Sequence, residues 1–320
     1  MILVTKYGYV EEKSLFLPEK IKFAVNNCIL ISILIPIYNF NGIKLVTDLH
    51  RQGFNLGVPF EIIVADDHSP NPVEAHEQIN ELAYAKYVYL PRNMGRAGSR
   101  NWLAQKAQFP FLLFIDGDMG VDNPNFLKNY LEVLADNRVV CGGHFYASQR
   151  PEPKYRLHWI YGRNREVRPA AERNKSPFGG FMPSNFVIPK PVFDAIRFDD
   201  SIKGYGHEDT LFGEMLKKLK MEGGQPELLH VDNGLVHLGL STNEEFMDKV
   251  DTAVKNLVFL EKKYPYKLTT LQQTAAKFKF LSPFFRSVPS PFLRKRIISG
   301  HNLRLLDLYK LVRYFENVKA

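Results

Sequence analysis

The sequence predicts an α/β protein in which a mostly parallel sheet is flanked by helices. Short apolar runs rich in Ile, Val and Phe recur over the first 115 residues, and stretches with helical spacing separate them. Continuous apolar runs of this length are typical of strands buried on both faces of a parallel sheet. Their alternation with helices indicates an α/β architecture.

The predicted elements follow in chain order. The four strands are ILISILI (29–35), FEIIVA (60–65), KYVYL (86–90) and FLLFI (111–115). Helical spacing predicts helices over 43–51, 98–107, 123–136 and 209–220. A returning strand is predicted over 139–146 and a long Arg-rich loop over 148–175. From residue 243 the chain reads as helices broken by Pro283, Pro289 and Pro291.

The composition is that of a globular protein, with 45% apolar and 24% charged residues in 320. We divide the chain into an N-terminal extension over 1–28, for which a hairpin is one arrangement, a central domain over 29–240 and a basic helical extension over 241–320. Cys28 and Cys141 are too few for a disulfide framework. Glu11 and Glu12 interrupt the N-terminal apolar stretch, so we expect no signal peptide and a cytoplasmic protein.

One apolar strand ends in two like charges. In FLLFIDGDM (111–119), Asp116 and Asp118 follow the strand with a single glycine between them. Two carboxylates so close repel each other unless a cation neutralises them. Oxygen ligands suit Mg²⁺ or Mn²⁺, although an Asp-Gly pair in an ordinary polar turn is the alternative reading. In a parallel sheet, ligands bind beyond the carboxyl ends of the strands, where these residues are expected.

The chain resembles the family 2 glycosyltransferases with the Rossmann-like GT-A fold. The matching segments, in the family's order across residues 30 to 240, are ISILIPIYNF, EIIVADDHSP, NMGRAGSRN, FIDGDM and GYGHEDTLFGEML. The GYGHED segment also resembles β-1,4-galactosyltransferases and chondroitin-type polymerases. The resemblance implies an inverting, metal-dependent hexosyltransferase. Its donor would be a nucleotide-diphosphate sugar, with UDP-Gal, UDP-GalNAc and UDP-GlcNAc as candidates.

The resemblance also implies the donor-binding residues. Tyr38 would stack on a pyrimidine base and Asp67 would accept the base N–H. A capped turn before a helix is the alternative for the acidic pair at 66–67. Arg96 and Arg100 offer planar forks suited to phosphate oxygens. The full donor-binding set comprises Pro36, Tyr38, Asp66, Asp67, Arg96, Arg100 and Asp116.

The family pattern further implies a metal site, a base and an acceptor pocket. Asp118 would bind the metal directly and His237 would be a second ligand, with His230 as the competing histidine. Asp209 matches the catalytic base, although the acidic pair could instead cap a helix. The predicted acceptor-binding residues are Glu208, Ser184, Asn185 and Gly180; for Ser184 and Asn185 ordinary turn chemistry is the alternative. The acceptor would be a saccharide or a lipid-linked saccharide.

Basic charge is concentrated in the tail. The chain carries a net charge of +8, and residues 277–320 hold ten basic residues against two acidic ones. Aromatic and basic residues are mixed in FKFLSPFFRSVPSPFLRKRIISG, a pattern that suits peripheral contact with the inner face of the cell membrane. The alternative is that these aromatic residues pack onto the protein. A sugar nucleotidyltransferase and a basic nucleic-acid-binding protein remain rival functions, although we expect no nucleic-acid partner.

Overall fold

The computed structural model describes residues 30–223, 226–264 and 268–319. The predicted extension over 1–28 lies outside them. The strands are β1 (Ile31–Ile37), β2 (Phe60–Asp66), β3 (Ala85–Tyr89), β4 (Phe111–Ile115), β5 (Met119–Gly120), β6 (Arg138–Cys141), β7 (His144–Phe145), β8 (Asn185–Pro189), β9 (Glu227–His230) and β10 (Leu235–His237).

Helices surround these strands and form the whole C-terminal region. They are α1 (Ile43–Leu56), α2 (Gly95–Lys106), α3 (Phe126–Leu131), α4 (Arg156–Tyr161), α5 (Ala170–Arg173), α6 (Lys190–Ile196), α7 (Glu208–Met221), α8 (Asn243–Lys263), α9 (Thr270–Lys277), α10 (Ser282–Ser287), α11 (Ser290–Gly300) and α12 (Leu303–Lys319).

The main sheet has seven strands in the order β3-β2-β1-β4-β8-β6-β9. The pairs among β3, β2, β1 and β4 are parallel, as is the pair between β6 and β9, whereas β8 runs antiparallel to both of its neighbours. The parallel half places the carboxyl ends of β1, β2 and β4 at one edge. The α/β prediction, with a mostly parallel sheet, is confirmed.

Apolar residues cover both faces of this sheet. One layer joins the strands to α1 and α3 through residues such as Leu49 and Phe126. The other joins them to α2, α6 and α7 through residues such as Leu103 and Phe212. Because β1 and β4 are buried on both faces, β4 is a continuous apolar run and β1 is interrupted by a single polar residue, the buried Ser32.

A second, three-stranded sheet stands beside the first in the order β5-β10-β7. Its pairing sets Met119 opposite His237, with β10 antiparallel to β5 and parallel to β7. The short strand β5 begins directly after the Asp-Gly-Asp turn. This sheet therefore brings a segment near residue 237 against the end of β4.

The C-terminal helices have their own apolar core. Buried residues of α8 meet those of α11 and α12, among them Leu257, Ile297 and Val312. Asp251 on α8 fixes the packing, because its carboxylate accepts hydrogen bonds from Arg294 at 3.1 Å, Tyr309 at 2.9 Å and Arg313 at 2.8 Å. None of the described helices has the length and apolar character needed to cross a membrane.

Several predicted elements are corrected by the structure. The predicted helix over 123–136 is only the six-residue α3, and the predicted strand over 139–146 is divided into β6 and β7. The predicted loop over 148–175 contains α4, a π-helical turn over Gly162–Glu166 and α5. Pro283 and Pro291 stand in the first turns of α10 and α11, where a missing N–H costs nothing.

Candidate active site

The edge of the parallel half carries the predicted donor-binding residues. Tyr38 follows β1 directly, and its side chain is 52% exposed. Pro36 lies at the end of β1, where its carbonyl oxygen accepts a hydrogen bond from the N–H of Gly117 at 3.1 Å. This bond ties the carboxyl end of β1 to the turn after β4. The exposed ring of Tyr38 is thus available at the sheet edge.

Asp66 and Asp67 are both buried and both accept backbone hydrogen bonds. Asp66 accepts from the N–H of Ser69 at 2.8 Å. The two oxygens of Asp67 accept from the N–H groups of Met94 at 2.6 Å and Gly95 at 2.8 Å, at the start of α2. Burial raises the pKa of Asp67 despite these bonds. The capped turn considered as an alternative is therefore present, and Asp67 positions α2.

The glycine between the two carboxylates is required by close packing. A Cβ at Gly117 would lie 2.6 Å from Cγ1 of Ile37 and 2.9 Å from the carbonyl oxygen of Pro36. Both distances are shorter than side chains accept, so the turn can approach β1 only as glycine. The two carboxylates of this turn face different side chains. Asp116 faces Arg100, whereas Asp118 faces His237.

Arg100 is a fully buried cation. Its Nη2 donates to Oδ1 of Asp116 at 2.5 Å, and its Nη1 lies 3.9 Å from Oε1 of Glu208. Among the residues that the structure describes, its Nε and Nη1 find no hydrogen-bond partner, and neither does Oε2 of Glu208. Arg96, whose side chain is 41% exposed, lies 3.8 Å from the same Glu208 oxygen. Of the two predicted phosphate-binding arginines, only Arg96 is accessible. Arg100 instead lies between the carboxylates of Asp116 and Glu208.

Asp118 and His237 form the candidate metal site. Oδ2 of Asp118 lies 3.7 Å from Nε2 of His237. Burial and the charge of Asp116 raise the pKa of Asp118 to about 6. Burial, with the neighbouring His144, lowers the pKa of His237 to about 4, so its ring is neutral at pH 7, the form that binds metals.

The two candidate ligands alone would not complete a coordination shell. Among the residues that the structure describes, no group of three or more His, Cys, Asp or Glu side chains is arranged to hold a metal ion. Mg²⁺ and Mn²⁺ sites that act on diphosphates commonly take one or two protein ligands and fill the other positions with phosphate oxygens and water. Asp118 and His237 fit that class of site.

The competing histidine, His230, has a hydrogen-bond partner at each ring nitrogen. Nη1 of Arg173 donates to Nδ1 of His230 at 2.8 Å, and Nε2 of His230 donates to the carbonyl oxygen of Pro177 at 2.9 Å. Because an arginine can only donate and a carbonyl can only accept, both ring nitrogens have fixed roles. His230 is also 2% exposed. The structure therefore favours His237 over His230 as the metal-binding candidate.

Asp209 is the second residue of α7 and directly follows the buried Glu208. Its Oδ1 accepts from the backbone N–H of Thr210 at 2.7 Å. Burial raises the pKa of Asp209 above its ordinary value. The charge of Asp209 joins burial in raising the pKa of Glu208. Glu208 lies 3.8 Å from Arg96 and 3.9 Å from Arg100, and Arg100 also holds Asp116, so the predicted base directly follows a residue of this charged cluster.

The predicted acceptor residues are arranged differently from expectation. Asn185 is fully buried; it accepts from the hydroxyl of Tyr130 at 2.6 Å and donates to two backbone carbonyls. Ser184 shares a 3.0 Å hydrogen bond with His144. A Cβ at Gly180 would meet ordinary contacts at 3.6 Å, so nothing approaches that backbone closely. Asn185 holds the fold and leaves no group free for a sugar.

Several polar residues beside Asp118 were not predicted. Tyr146 donates to Glu166 at 2.5 Å, and its ring stacks on His237 with centroids 5.0 Å apart. Lys249 of α8 and Tyr205 of the GYGHED segment also face this site. A tyrosine inside a matching motif could have been selected from sequence. A lysine on an amphipathic helix gives no such signal.

The chain is similar to known proteins over the sheet edge described above. The model of glycosyl transferase family 2 matches residues 32–196. This chain belongs to glycosyl transferase family 2. The family region extends from β1 to α6 and contains the predicted donor-binding residues from Pro36 to Asp116 and the metal-binding candidate Asp118. Asp209 and His237 lie beyond it.

Two curated relatives extend the similarity. Chondroitin synthase of Escherichia coli is 27% identical over 222 residues, which cover 58% of this chain and 32% of that protein. An uncharacterized glycosyltransferase of Haemophilus influenzae is 29% identical over 126 residues, covering 37% of this chain and 48% of that protein. The chain thus spans less than half the length of these curated relatives.

A solved structure shares the fold of this family 2 member. The mannosyltransferase PcManGT from Pyrobaculum calidifontis, solved in complex with GDP-Man and Mn²⁺, superposes with a TM-score of 0.51 at 12% identity. The match covers 90% of this chain and 85% of that one. At this identity the likeness concerns the fold alone. Together with the sheet order, it confirms the GT-A fold.

Proposed function

We propose that the chain is an inverting, metal-dependent glycosyltransferase that moves a hexose from a nucleotide-diphosphate donor to a hydroxyl group of a saccharide. The observation that carries this proposal is the arrangement of charged side chains beyond the carboxyl end of β4. Asp118 lies 3.7 Å from His237, and Asp116 is joined through Arg100 to the acidic pair that contains Asp209. This arrangement supports the proposal, because it would connect the candidate metal site and the candidate base through Asp116 and Arg100.

The donor is proposed to lie along the carboxyl ends of β1, β2 and β4. The exposed ring of Tyr38 suits stacking on a base. Asp67 retains lone pairs beyond those used by Met94 and Gly95, so it could also accept a base N–H. Arg96 is the accessible arginine for the diphosphate. UDP-Gal, UDP-GalNAc and UDP-GlcNAc remain the proposed donors.

Asp118 and His237 would hold Mn²⁺ or Mg²⁺. When bound, the ion neutralises the negative charge that develops on the leaving diphosphate. The protein's own contribution is to keep His237 neutral and to keep Asp116 engaged with Arg100. Asp118 is thereby the carboxylate left available to a cation. The Mn²⁺ in the PcManGT complex is consistent with this class of site.

Asp209 is proposed as the general base. One oxygen is occupied by Thr210, so the other can accept the proton of the acceptor hydroxyl. As that proton leaves, the acceptor oxygen bonds to the anomeric carbon and the bond from that carbon to the diphosphate breaks. The raised pKa of Asp209 lies closer to the pH at which a general base is efficient. Glu208, buried against the arginines, is better suited to positioning than to binding the acceptor.

A cleft beside the metal-binding candidate suits the acceptor. It has a volume of about 360 Å³ and is lined by residues that include Tyr146, Arg150, Trp159 and His237. Aromatic faces next to a few polar groups are typical of small-molecule sites. Ser184 lies near this region through its bond to His144. We propose that the acceptor saccharide enters here.

Donor turnover tests the function directly. The chain should release UDP from one of the three UDP-sugars when Mn²⁺ is present and should cease to do so with EDTA. The variant Asp118→Ala should lose this activity, whereas Asp122→Ala, which removes an exposed carboxylate four residues away, should keep it. Mn²⁺-independent turnover, or full activity in Asp118→Ala, would contradict the metal assignment.

The rival functions are less well supported. Membership in glycosyl transferase family 2 favours sugar transfer over nucleotidyl transfer. The excess positive charge of the tail is partly neutralised inside the protein, because Arg294 and Arg313 pair with acidic residues of the helical extension. These ion pairs leave less positive charge in the tail for binding nucleic acid.

We propose peripheral membrane contact by the tail, through fewer residues than the sequence predicts. Phe285 and Leu293 are buried in the helical core, so they are unavailable. Phe280, Phe284 and Phe292 remain 76%, 62% and 57% exposed among exposed lysines. Exposed rings mixed with cations suit an interface that carries anionic lipid.

Vesicle sedimentation tests this contact with point variants. Truncation near residue 274 would strip α11 and α12 from α8 and expose its core, so it does not isolate the surface. The double variant Phe280→Ser/Phe284→Ser should pellet less with vesicles that contain phosphatidylserine. The control Phe54→Ser changes a phenylalanine that is 56% exposed outside the tail. Equal pelleting of all three proteins would remove the proposal.

A further inference from the structure

Lys249 brings a positive charge from the helical extension to the candidate active site. It lies on the second turn of α8, beyond the region matched by the family model. Its side chain is partly buried, and Nζ donates to Oγ of Ser241 at 2.6 Å. Nζ also lies 5.4 Å from the centre of the Tyr205 ring. The lysine therefore points inward rather than into solvent.

The ammonium group of Lys249 has no close acidic partner. Within the described ranges, no carboxylate oxygen forms an ion pair with Nζ at 4.0 Å or less. Of the acidic groups that attract it, Glu245 is engaged by the N-cap of α8 and Glu166 by Tyr146. The third acidic group that attracts Lys249 is Asp118. Burial lowers the pKa of Lys249, and repulsion by Arg96 acts in the same direction.

Arg96 and Lys249 converge on one aromatic ring. The guanidinium carbon of Arg96 lies 4.7 Å from the centre of the Tyr205 ring, close to the corresponding distance for Lys249. The two cations come from α2 and α8, which are distant in sequence. Arg96 and Lys249 repel each other, and an anion that carries more than one charge would relieve that repulsion.

We propose that Lys249 binds the diphosphate of the nucleotide, opposite Arg96. This inference rests on the proposed function, because it requires a nucleotide-diphosphate ligand in the cleft. A lysine acts on phosphate as a mobile point charge, whereas an arginine supplies a planar fork. The two residues thus complement each other. The helical extension from residue 241 is consequently a part of the donor site, and it contributes a binding group of its own.

Calorimetric titration with UDP at a fixed Mn²⁺ concentration tests the assignment. In Lys249→Met and Lys249→Gln, the affinity for UDP should fall about 10- to 100-fold, the value expected for one charge-assisted hydrogen bond. Lys249→Arg should recover most of the affinity, which a purely structural role would not predict. The control Lys255→Met removes an exposed lysine from the same helix and should bind UDP as the wild type does.

The outcomes separate this inference from the proposed function. Wild-type affinity in folded Lys249→Met and Lys249→Gln would overturn the role of Lys249 and leave the transferase assignment intact. Absence of UDP and GDP binding to the wild-type protein would overturn both. An affinity loss that Lys255→Met shares would also overturn the assignment, since the effect would then follow from net charge.

Discussion

Replacing Gly239 by alanine should disable the candidate metal site without removing any ligand. Gly239 stands two residues after His237, and a Cβ added there would lie 2.4 Å from Oδ2 and 2.9 Å from Cγ of Asp118. Its backbone is not in the left-handed region, so the contact is the main consequence. Restoring an ordinary contact of 3.4 Å requires the carboxylate oxygen to move by about 1 Å.

A displacement of that size is large for metal binding. Metal–ligand distances tolerate changes of about 0.2 Å, and a misplacement of about 1 Å in an active site can lower turnover about 100-fold. We therefore expect Gly239→Ala to lose at least about 100-fold in Mn²⁺-dependent UDP-sugar turnover. The charge and the ligand set of the protein remain unchanged.

Steady-state turnover, measured across a series of Mn²⁺ concentrations, provides the assay. Thermal unfolding followed by circular dichroism shows whether the fold is kept. Gly300→Ala is the matched control, because a Cβ at that position has no neighbour within 4 Å. Wild-type turnover with an unchanged Mn²⁺ dependence in Gly239→Ala would refute the reasoning, since Asp118 would then tolerate the displacement.

Three further substitutions give distinct outcomes. Asp209→Asn cannot accept a proton, so kcat should fall about 100-fold or more while the Kd for UDP stays near that of wild type; a collapse of that affinity instead would make the residue a binding group. Asp251→Asn weakens three hydrogen bonds between α8 and the later helices, and the free energy of unfolding should fall by about 1–3 kcal/mol in urea titrations. Burial alone would raise the pKa of Asp199, but hydrogen bonds from Lys263 and Tyr264 hold it well below its ordinary value. Asp199→Asn should therefore be less stable than wild type at pH 7, and the difference should narrow as the pH falls below about 4, where the unfolded wild-type chain takes up the proton; a pH-independent difference would show that the charge is irrelevant.

The parallel half of the fold could be predicted because its strands are buried on both faces. The run from Phe111 to Ile115 matches β4 residue for residue. The prediction was wrong where tertiary contacts decide an element's length. Helix α3 ends at Leu131 because the chain must turn there to enter β6 at Arg138. Asp136 and Asn137, residues typical of turns, directly precede β6, so the sequence marks the end of that turn but not the end of the helix.

In the candidate site, too, some residues could be predicted from the sequence and others could not. Carboxylates that follow parallel strands necessarily share an edge, so the position of Asp116 and Asp118 could be predicted. The roles of histidines could not, because they depend on partners far along the chain. Arg173 occupies His230, and only the structure shows this contact. The position of Lys249 is harder still to predict, since helical spacing does not say which polar residue of α8 approaches Tyr205.

The two-residue strand β5 and the three-residue strand β10 set the order in which the site can form. The parallel half of the sheet is complete by Ile115, whereas β10 ends at His237, more than a hundred residues later. Contacts between such distant segments carry a high loop-closure cost and generally form late during folding. A ladder this short also adds few hydrogen bonds, so it belongs to the regions that open most readily in the native state. Hydrogen exchange at Met119 and Val236 should consequently be faster than at the centre of β1, and catalytic competence should appear only after the bulk of the sheet has become protected.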